Sequence, residues 1–391
     1  MSAFDKVIDR QNRKSIKYDF FDHYGKPCDA IPLWVADMDF ASPPAVLDAV
    51  RAMADYGVLG YSWSSPKSLE AVVNWFEMIH HWSTRPEWIV QTPGVMFAVA
   101  TIIQATTCVN ESVLIQEPVY YPFREAVEKN NRRLVVHELS YVDGRYEIDF
   151  DAFESLIIKN NVRLFLLCSP HNPVGRVWSE EELTRLAEVC RKWNVLVVSD
   201  EIHADLVYSG HKHTVFASLP DELGRNAIVC TSPSKTFNLS GLHTGNMIVP
   251  RDDLRSRITS VNERLFYYGT SLPAIVATEA AYTQGEDWYR ELLSYLEGNR
   301  DYLVGAFRKM NAGIRPVALE GTYLLWLDCR EMKLSDDKLE SFWTQDARLW
   351  LHRGTTFGQS GTGFMRMNIA SPRKILEEAV RRVEVALAKK S

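Results

Sequence analysis

The stretch "TSPSKTFNLSGLHTGN", Thr231–Asn246, contains a lysine with no charged neighbour. Lys235 is the sole lysine, arginine or carboxylate between Arg225 and Arg251, and the apolar run "AIVC" leads into it. Short apolar runs bounded by turn residues read as buried strands. The lysine therefore stands where a buried strand ends, among small hydroxyl residues, a place where lysine is seldom found unless it is used.

The same pattern recurs upstream. "ESVLIQEP", "RRLVVHEL", "VRLFLLCSP", "VLVVSDE" and "GNMIV" read as short strands, and "GVMFAVATIIQATT", "YPFREAVEKNN" and "FDAFESLIIKN" as helices between them. "SEEELTRLAEVCRKWN" places acids at the start and bases at the end of a helix, which complements its dipole. Apolar strands alternating with helices predict an α/β fold with a mostly parallel sheet covered on both faces. In such sheets ligands gather beyond the carboxyl ends of the strands. Two helices precede this region, "PPAVLDAVRAMADYG", stopping at Gly57, and "SLEAVVNWFEMIHHW"; "IPLWVADMDF" reads as extended. From about Asp287 long helices take over, "DWYRELLSYLEGNRDYLVGAFRKMN" and "KILEEAVRRVEVALAKK", with strands "TYLLWLD" and "FMRMNIA" between them. The expected division is a large α/β domain over 48–286 and a smaller α+β domain built from 1–47 and 287–391.

Composition narrows the function. The chain has 391 residues and a net charge of −6, without a basic footprint, so nucleic acid is not an expected partner. No run approaches the roughly 20 apolar residues of a membrane span. "MSAFDKVIDRQNRKSIKYDFF" lacks the apolar core of a secretory signal. The six cysteines are scattered without a C-x-x-C pair. They are expected as small core residues in a reducing, cytoplasmic setting. His80, His81, His211 and His213 are expected as surface or loop residues, and no metal site is expected.

Chemistry-bearing residues cluster at predicted strand ends: Asn172 in "CSPHNPVG", Asp200 and His203 in "SDEIH", and Ser232, Ser234 and Lys235 in "SPSK". Gly94 opens a predicted helix in "TPGVMFAV". The order P-G-V, P-x-Y-x-x-F, S-P-x-N-P-x-G, S-D-E, S-x-S-K and F-x-R-x-N-x-A resembles the fold-type I pyridoxal phosphate (PLP) enzymes of the aspartate-aminotransferase group. The likeness runs from about Leu33 to Arg373. It implies that Lys235 carries the cofactor covalently and later acts as base, and that Asp200 pairs with the pyridinium nitrogen. It further implies that Asn172 bonds the ring's 3-hydroxyl side and that Tyr120, rather than the adjacent Tyr121, stacks on the ring. The phosphate would rest on the backbone of Val95 and Met96 after Gly94, with the Ser232 and Ser234 hydroxyls. Arg366 would clamp a substrate α-carboxylate.

Three departures separate the chain from the plain aminotransferase pattern. His203 stands where those enzymes usually have a tyrosine, His243 where they often have a phosphate-binding arginine, and Ala36 in place of a glycine at the substrate. These features, with "LGYSWSS" and "HRGTTFGQSGTGFMRMNIASPR", resemble the MalY/PatB-type cystathionine β-lyases, or C–S lyases. The resemblance implies α,β-elimination from cystathionine or a related cysteine S-conjugate, giving a thiol, pyruvate and ammonia. It also implies a homodimer in which Tyr61 reaches the partner's phosphate. The alternative is an aminotransferase acting on an amino acid and a keto acid.

Overall fold

The computed structural model describes residues 2–389. The outer limits of the expected small domain, Met1 and Ser391, and Lys390 of its last helix lie outside the described residues. After the two-residue strand β1 (Ile31–Pro32), helices Pro44–Tyr56 and Pro66–His80 lead into the main sheet. The first of these helices stops where Gly57 takes φ 77°, the left-handed cap that glycine adopts without steric cost.

The central sheet is built from β2 (Ile89–Thr92), β3 (Ser112–Glu117), β4 (Arg133–Glu138), β7 (Val162–Cys168), β8 (Leu196–Asp200), β9 (Ala227–Thr231) and β10 (Gly245–Ile248). A small hairpin, β5 (Ser140–Val142) and β6 (Arg145–Glu147), intervenes after β4. The strand order is β2-β10-β9-β8-β7-β3-β4. β10 runs antiparallel to both its neighbours, and the other pairings are parallel. Every residue of β3, β9 and β10 is buried, as strands covered on both faces require. Because β3, β7, β8 and β9 are parallel, their carboxyl ends share one edge.

The second sheet comprises β11 (Arg315–Pro316), β12 (Leu324–Asp328), β14 (His352–Arg353) and β15 (Phe364–Asn368), in the order β11-β12-β15-β14. It is antiparallel, while β13 (Leu349–Trp350) pairs with β1 in parallel. Side chains alternate along a strand. Met365 and Met367 join a core with Leu292, Leu303, Leu325 and Val383, which also takes in Phe4, Leu33, Met38 and Phe40 from the amino-terminal segment. Arg366 and Asn368 therefore point the other way, toward the central sheet.

Three expectations need correction. Helices Asp252–Arg264 and Leu272–Gln284 occupy a region in which no helix is expected from sequence. The second packs against Pro44–Tyr56 and Pro66–His80, and its residues are mostly small or apolar on every side. It therefore shows no apolar stripe for a periodicity reading to find. Cys168, Cys190, Cys230 and Cys329 are buried, but Cys28 and Cys108 are exposed rather than in a core. His81 and His211 are exposed, whereas His80 and His213 have buried side chains. The helix Pro66–His80 carries the His80 ring inward because its partner, Asp205, is buried there.

Candidate active site

The carboxyl edge of the parallel strands opens on a cavity of about 500 Å³. Each strand delivers one group to it. Tyr120 follows β3, Asn172 follows β7, Asp200 ends β8, and Lys235 lies four residues past β9; all four line the cavity. Gly94, Val95 and Met96 line it from the start of helix Val95–Thr106. Gly94 has φ 140°, and a Cβ there would meet nothing within 4 Å. Space thus lies open in front of the first N–H groups of a helix that, by geometry, have no intrahelical acceptor.

Ser234 lines the cavity; Ser232 lies behind it. The Ser232 hydroxyl lies 2.6 Å from the Ser234 hydroxyl and donates to the Thr244 carbonyl at 2.6 Å. Lys235 Nζ donates to the Ala36 carbonyl at 2.6 Å and lies 3.5 Å from the Ser240 hydroxyl. Ala36 is held in place by its surroundings. Asn368 Nδ2 donates to the carbonyls of Val35 and Asp37, each at 2.6 Å, and Arg10 bridges Asp37 and Asp39. His203 lines the cavity, and its Nδ1 has no partner among the described residues. His243 lines it from an exposed loop at φ 52°. Tyr61 is fully exposed and does not line the cavity.

Arg366 lies on β15 directly opposite Trp326 and His352. Its Nη1 donates to the Asn172 side-chain oxygen at 2.9 Å, and its Nη2 donates to the Trp34 carbonyl at 2.8 Å. Nη2 also lies 2.8 Å from His352 Nδ1. Nδ1 lies 3.1 Å from the same Trp34 carbonyl, so His352, Arg366 and that carbonyl form one cluster. Arg366 makes no ion pair with a carboxylate among the described residues, and its Nε has no partner among them. A buried cation with neutral partners and a spare donor is a receptor for an anion, because leaving it unpaired is costly. Burial pulls its pKa down to about 10.

The titrating groups show the same strain toward a charged guest. Burial pushes the Lys235 ammonium down to about 8; Asp37 and Asp200 oppose the shift and Arg366 adds to it. Burial pushes the Asp200 carboxyl up to about 7, against the N–H of Ile202 and the charge of Lys235. Asp200 has no cationic side chain in ion-pair contact among the described residues. Burial also holds His203 neutral, reinforced by Lys235 and Arg366. A lysine poised near neutrality is a usable nucleophile and base. A buried carboxylate lacking a cation suits a protonated ring nitrogen.

Behind the cavity lies a buried polar network that sequence reading missed. Asp205 accepts from His80 Nε2 at 2.7 Å, from Thr236 Oγ1 at 2.6 Å and from Trp75 Nε1 at 3.1 Å. Thr236 follows Lys235, so this carboxylate anchors the lysine's turn. Glu201, next to Asp200, pairs with His213 at 2.9 Å. Tyr323, whose hydroxyl donates to Ala36 at 2.9 Å, and His352 were also missed. His352 comes to the site through the register of β14 with β15, and Tyr323 from the residue before β12, rather than through a local motif.

The arrangement fits a covalently held aldehyde cofactor with a phosphate tail and a basic ring nitrogen. Lys235, Asp200, Asn172, Tyr120 and the open backbone at Gly94 supply matching groups, and Arg366 remains for a substrate carboxylate. Comparisons with known proteins agree. The family model for aminotransferase class I and II matches residues 29–383. The chain is 39% identical to cystathionine beta-lyase PatB of Bacillus subtilis, over 98% of this chain and all of the relative. It is 32% identical to protein MalY of Escherichia coli, over 97% of each chain. Among solved structures it is similar to cystalysin from Treponema denticola, which contains pyridoxal 5'-phosphate. That similarity has a TM-score of 0.96 at 33% identity and covers 100% of both chains.

Proposed function

The chain belongs to the class I and II aminotransferase family, in the group of PatB and MalY, and on that premise we propose that it is a PLP-dependent carbon–sulfur β-lyase acting on cysteine S-conjugates such as cystathionine. The overall change is R–S–CH2–CH(NH3+)–COO− plus water giving R–SH, pyruvate and ammonium. The observation that carries the reading is the juxtaposition of Arg366, buried without a carboxylate partner, with Lys235, held near neutrality in the same cavity.

When bound, PLP supplies an electron sink for the carbanion formed at the substrate α-carbon. The chain's residues do the rest. Arg366 takes the α-carboxylate in its fork, with Asn172 and Trp34 fixing the guanidinium plane. Asp200 would hold a proton on the ring nitrogen. Lys235 would hold the cofactor, and its position suits it to remove the α-proton and to hand a proton on as the thiolate leaves the β-carbon. Tyr120 would stack on the cofactor, and its hydroxyl stays protonated because burial raises it to about 12. His203, kept neutral, lines the cavity without adding charge. The backbone of Gly94, Val95 and Met96 and Ser234 would hold the phosphate, with Ser232 supporting Ser234 from behind.

The functional unit is a homodimer. The segment containing Tyr56, Val58, Leu59, Tyr61 and Trp63 exposes large apolar side chains in a row, which an isolated chain seldom does. Tyr61 from one copy reaches the phosphate of the other. The large domain over 48–286 supplies the cofactor site, and the smaller one supplies Arg366 and Ala36. No described helix is long and apolar enough to cross a membrane, and we place the enzyme in the cytoplasm.

A direct test is turnover with and without a keto acid. Purified holoenzyme should release pyruvate from L-cystathionine with no keto acid present. Turnover that requires a keto acid and returns an amino acid would establish the aminotransferase instead.

A further inference from the structure

We propose that this cavity selects cysteine S-conjugates whose sulfur carries an uncharged, apolar or aromatic group over cystathionine, whose far end is a second amino-acid zwitterion; this rests on the β-lyase reading.

The charged side chains lining the cavity are Asp200, Lys235 and Arg366. All three are engaged at the reacting end, by the ring nitrogen, the cofactor and the α-carboxylate. The lining histidines add no charge where the substituent must pass. His352 is pulled down to about 3 by burial and by Arg366, and His203 is held neutral by burial. His243 lies near Ser234 and Thr244, at the end assigned to the phosphate. None of the cations of the amino-terminal segment lines the cavity: Arg10 and Lys17 are paired with Asp37 and Asp39, Lys26 with Glu340, and Lys6, Arg13 and Lys14 are exposed.

What adjoins Arg366 is instead an aromatic wall. The Trp34 carbonyl accepts from Arg366, and the Trp34 ring stacks on Trp350 at 4.2 Å and 12°. Tyr24 meets Trp34 edge-on at 5.0 Å, and His352 does so at 5.3 Å. Tyr121 completes the wall, 6.4 Å from His352. A benzyl or alkyl group on sulfur gains burial against these rings. The far ammonium of cystathionine would find an aromatic face. Its far carboxylate would lose water without gaining a cation.

The test uses cofactor-loaded protein with S-benzyl-L-cysteine and L-cystathionine. The kcat/KM for pyruvate release should favour the benzyl substrate by about tenfold or more. Tyr24→Ala should lower the benzyl value by about fivefold or more and the cystathionine value by clearly less. Calorimetry with the methylene analogues, in which CH2 replaces sulfur and no leaving group remains, should rank the two side chains the same way. Equal or better use of cystathionine, or an equal loss on both substrates in Tyr24→Ala, would overturn the proposal. Absence of pyruvate from both substrates would overturn the lyase reading instead, and the calorimetric ranking would still decide the side-chain preference.

Discussion

Arg366 Nη1 donates to the Asn172 side-chain oxygen at 2.9 Å, joining the antiparallel sheet to the loop after β7. The contact fixes both groups. Asn172 is left with its amide hydrogens free for the cofactor, and the guanidinium is held flat without a carboxylate to neutralise it.

Arg366→Lys keeps the charge but loses the fork. Hydrogen bonds to charged groups contribute about 1.5–3 kcal/mol, so kcat/KM should fall roughly 10- to 100-fold. The loss should appear mainly as a raised KM in steady-state kinetics. An unchanged KM would remove Arg366 from the carboxylate site.

Asp200 makes a prediction about the cofactor-free protein. Its carboxyl titrates at about 7 in the folded chain, against an ordinary value of 3.8. Between those values the folded state holds a proton that the unfolded state does not. Stability from this group is therefore present at low pH and declines as pH rises toward 7. Cofactor-free Asp200→Asn should melt above cofactor-free wild type at pH 8, and the gap should close toward pH 5. The same variant should lose PLP more readily on dialysis. Equal melting at pH 8 would argue against an unpaired buried carboxylate.

Asp205 works in the opposite sense. Burial alone would raise its pKa, but the donors His80, Thr236 and Trp75 outweigh burial and lower it. Its stabilisation is present above the ordinary carboxylate pKa and lost as pH falls through the folded value. Asp205→Ala strands several buried donors and should cost about 3–5 kcal/mol in chemical denaturation. A loss below about 1 kcal/mol, typical of surface pairs, would contradict this role.

The dimer is testable by complementation. Tyr61→Ala chains lack the tyrosine proposed to face the partner, and Lys235→Ala chains lack the lysine. A hybrid has one site with both native residues. If dimers form at random from equal amounts, about a quarter of wild-type activity should return. No recovery above the two parents would place Tyr61 outside the shared site.

Much of the site was legible because its groups sit on local motifs at strand ends. Lys235 after "AIVC" and Asp200 after "VLVV" are charges that apolar neighbours make conspicuous. The wall around Arg366 was not legible. Trp34 and His352 are 318 residues apart and meet through a bond to the Trp34 carbonyl, set by the pairing of β14 with β15. His80 and His213 read as surface residues because the carboxylates that hold them, Asp205 and Glu201, are distant in sequence. The helix Leu272–Gln284 lacks a polar face, so its burial between helices left no periodic mark.

The most direct test of the central claim is product stoichiometry. Wild-type holoenzyme is incubated with a single S-conjugate and no keto acid, and thiol, pyruvate and ammonium are counted together. Equal amounts of all three are expected, with none from Lys235→Ala, which should also lack the visible absorption of lysine-bound cofactor. Thiol release without matching pyruvate, or equal activity in Lys235→Ala, would contradict elimination driven by Lys235.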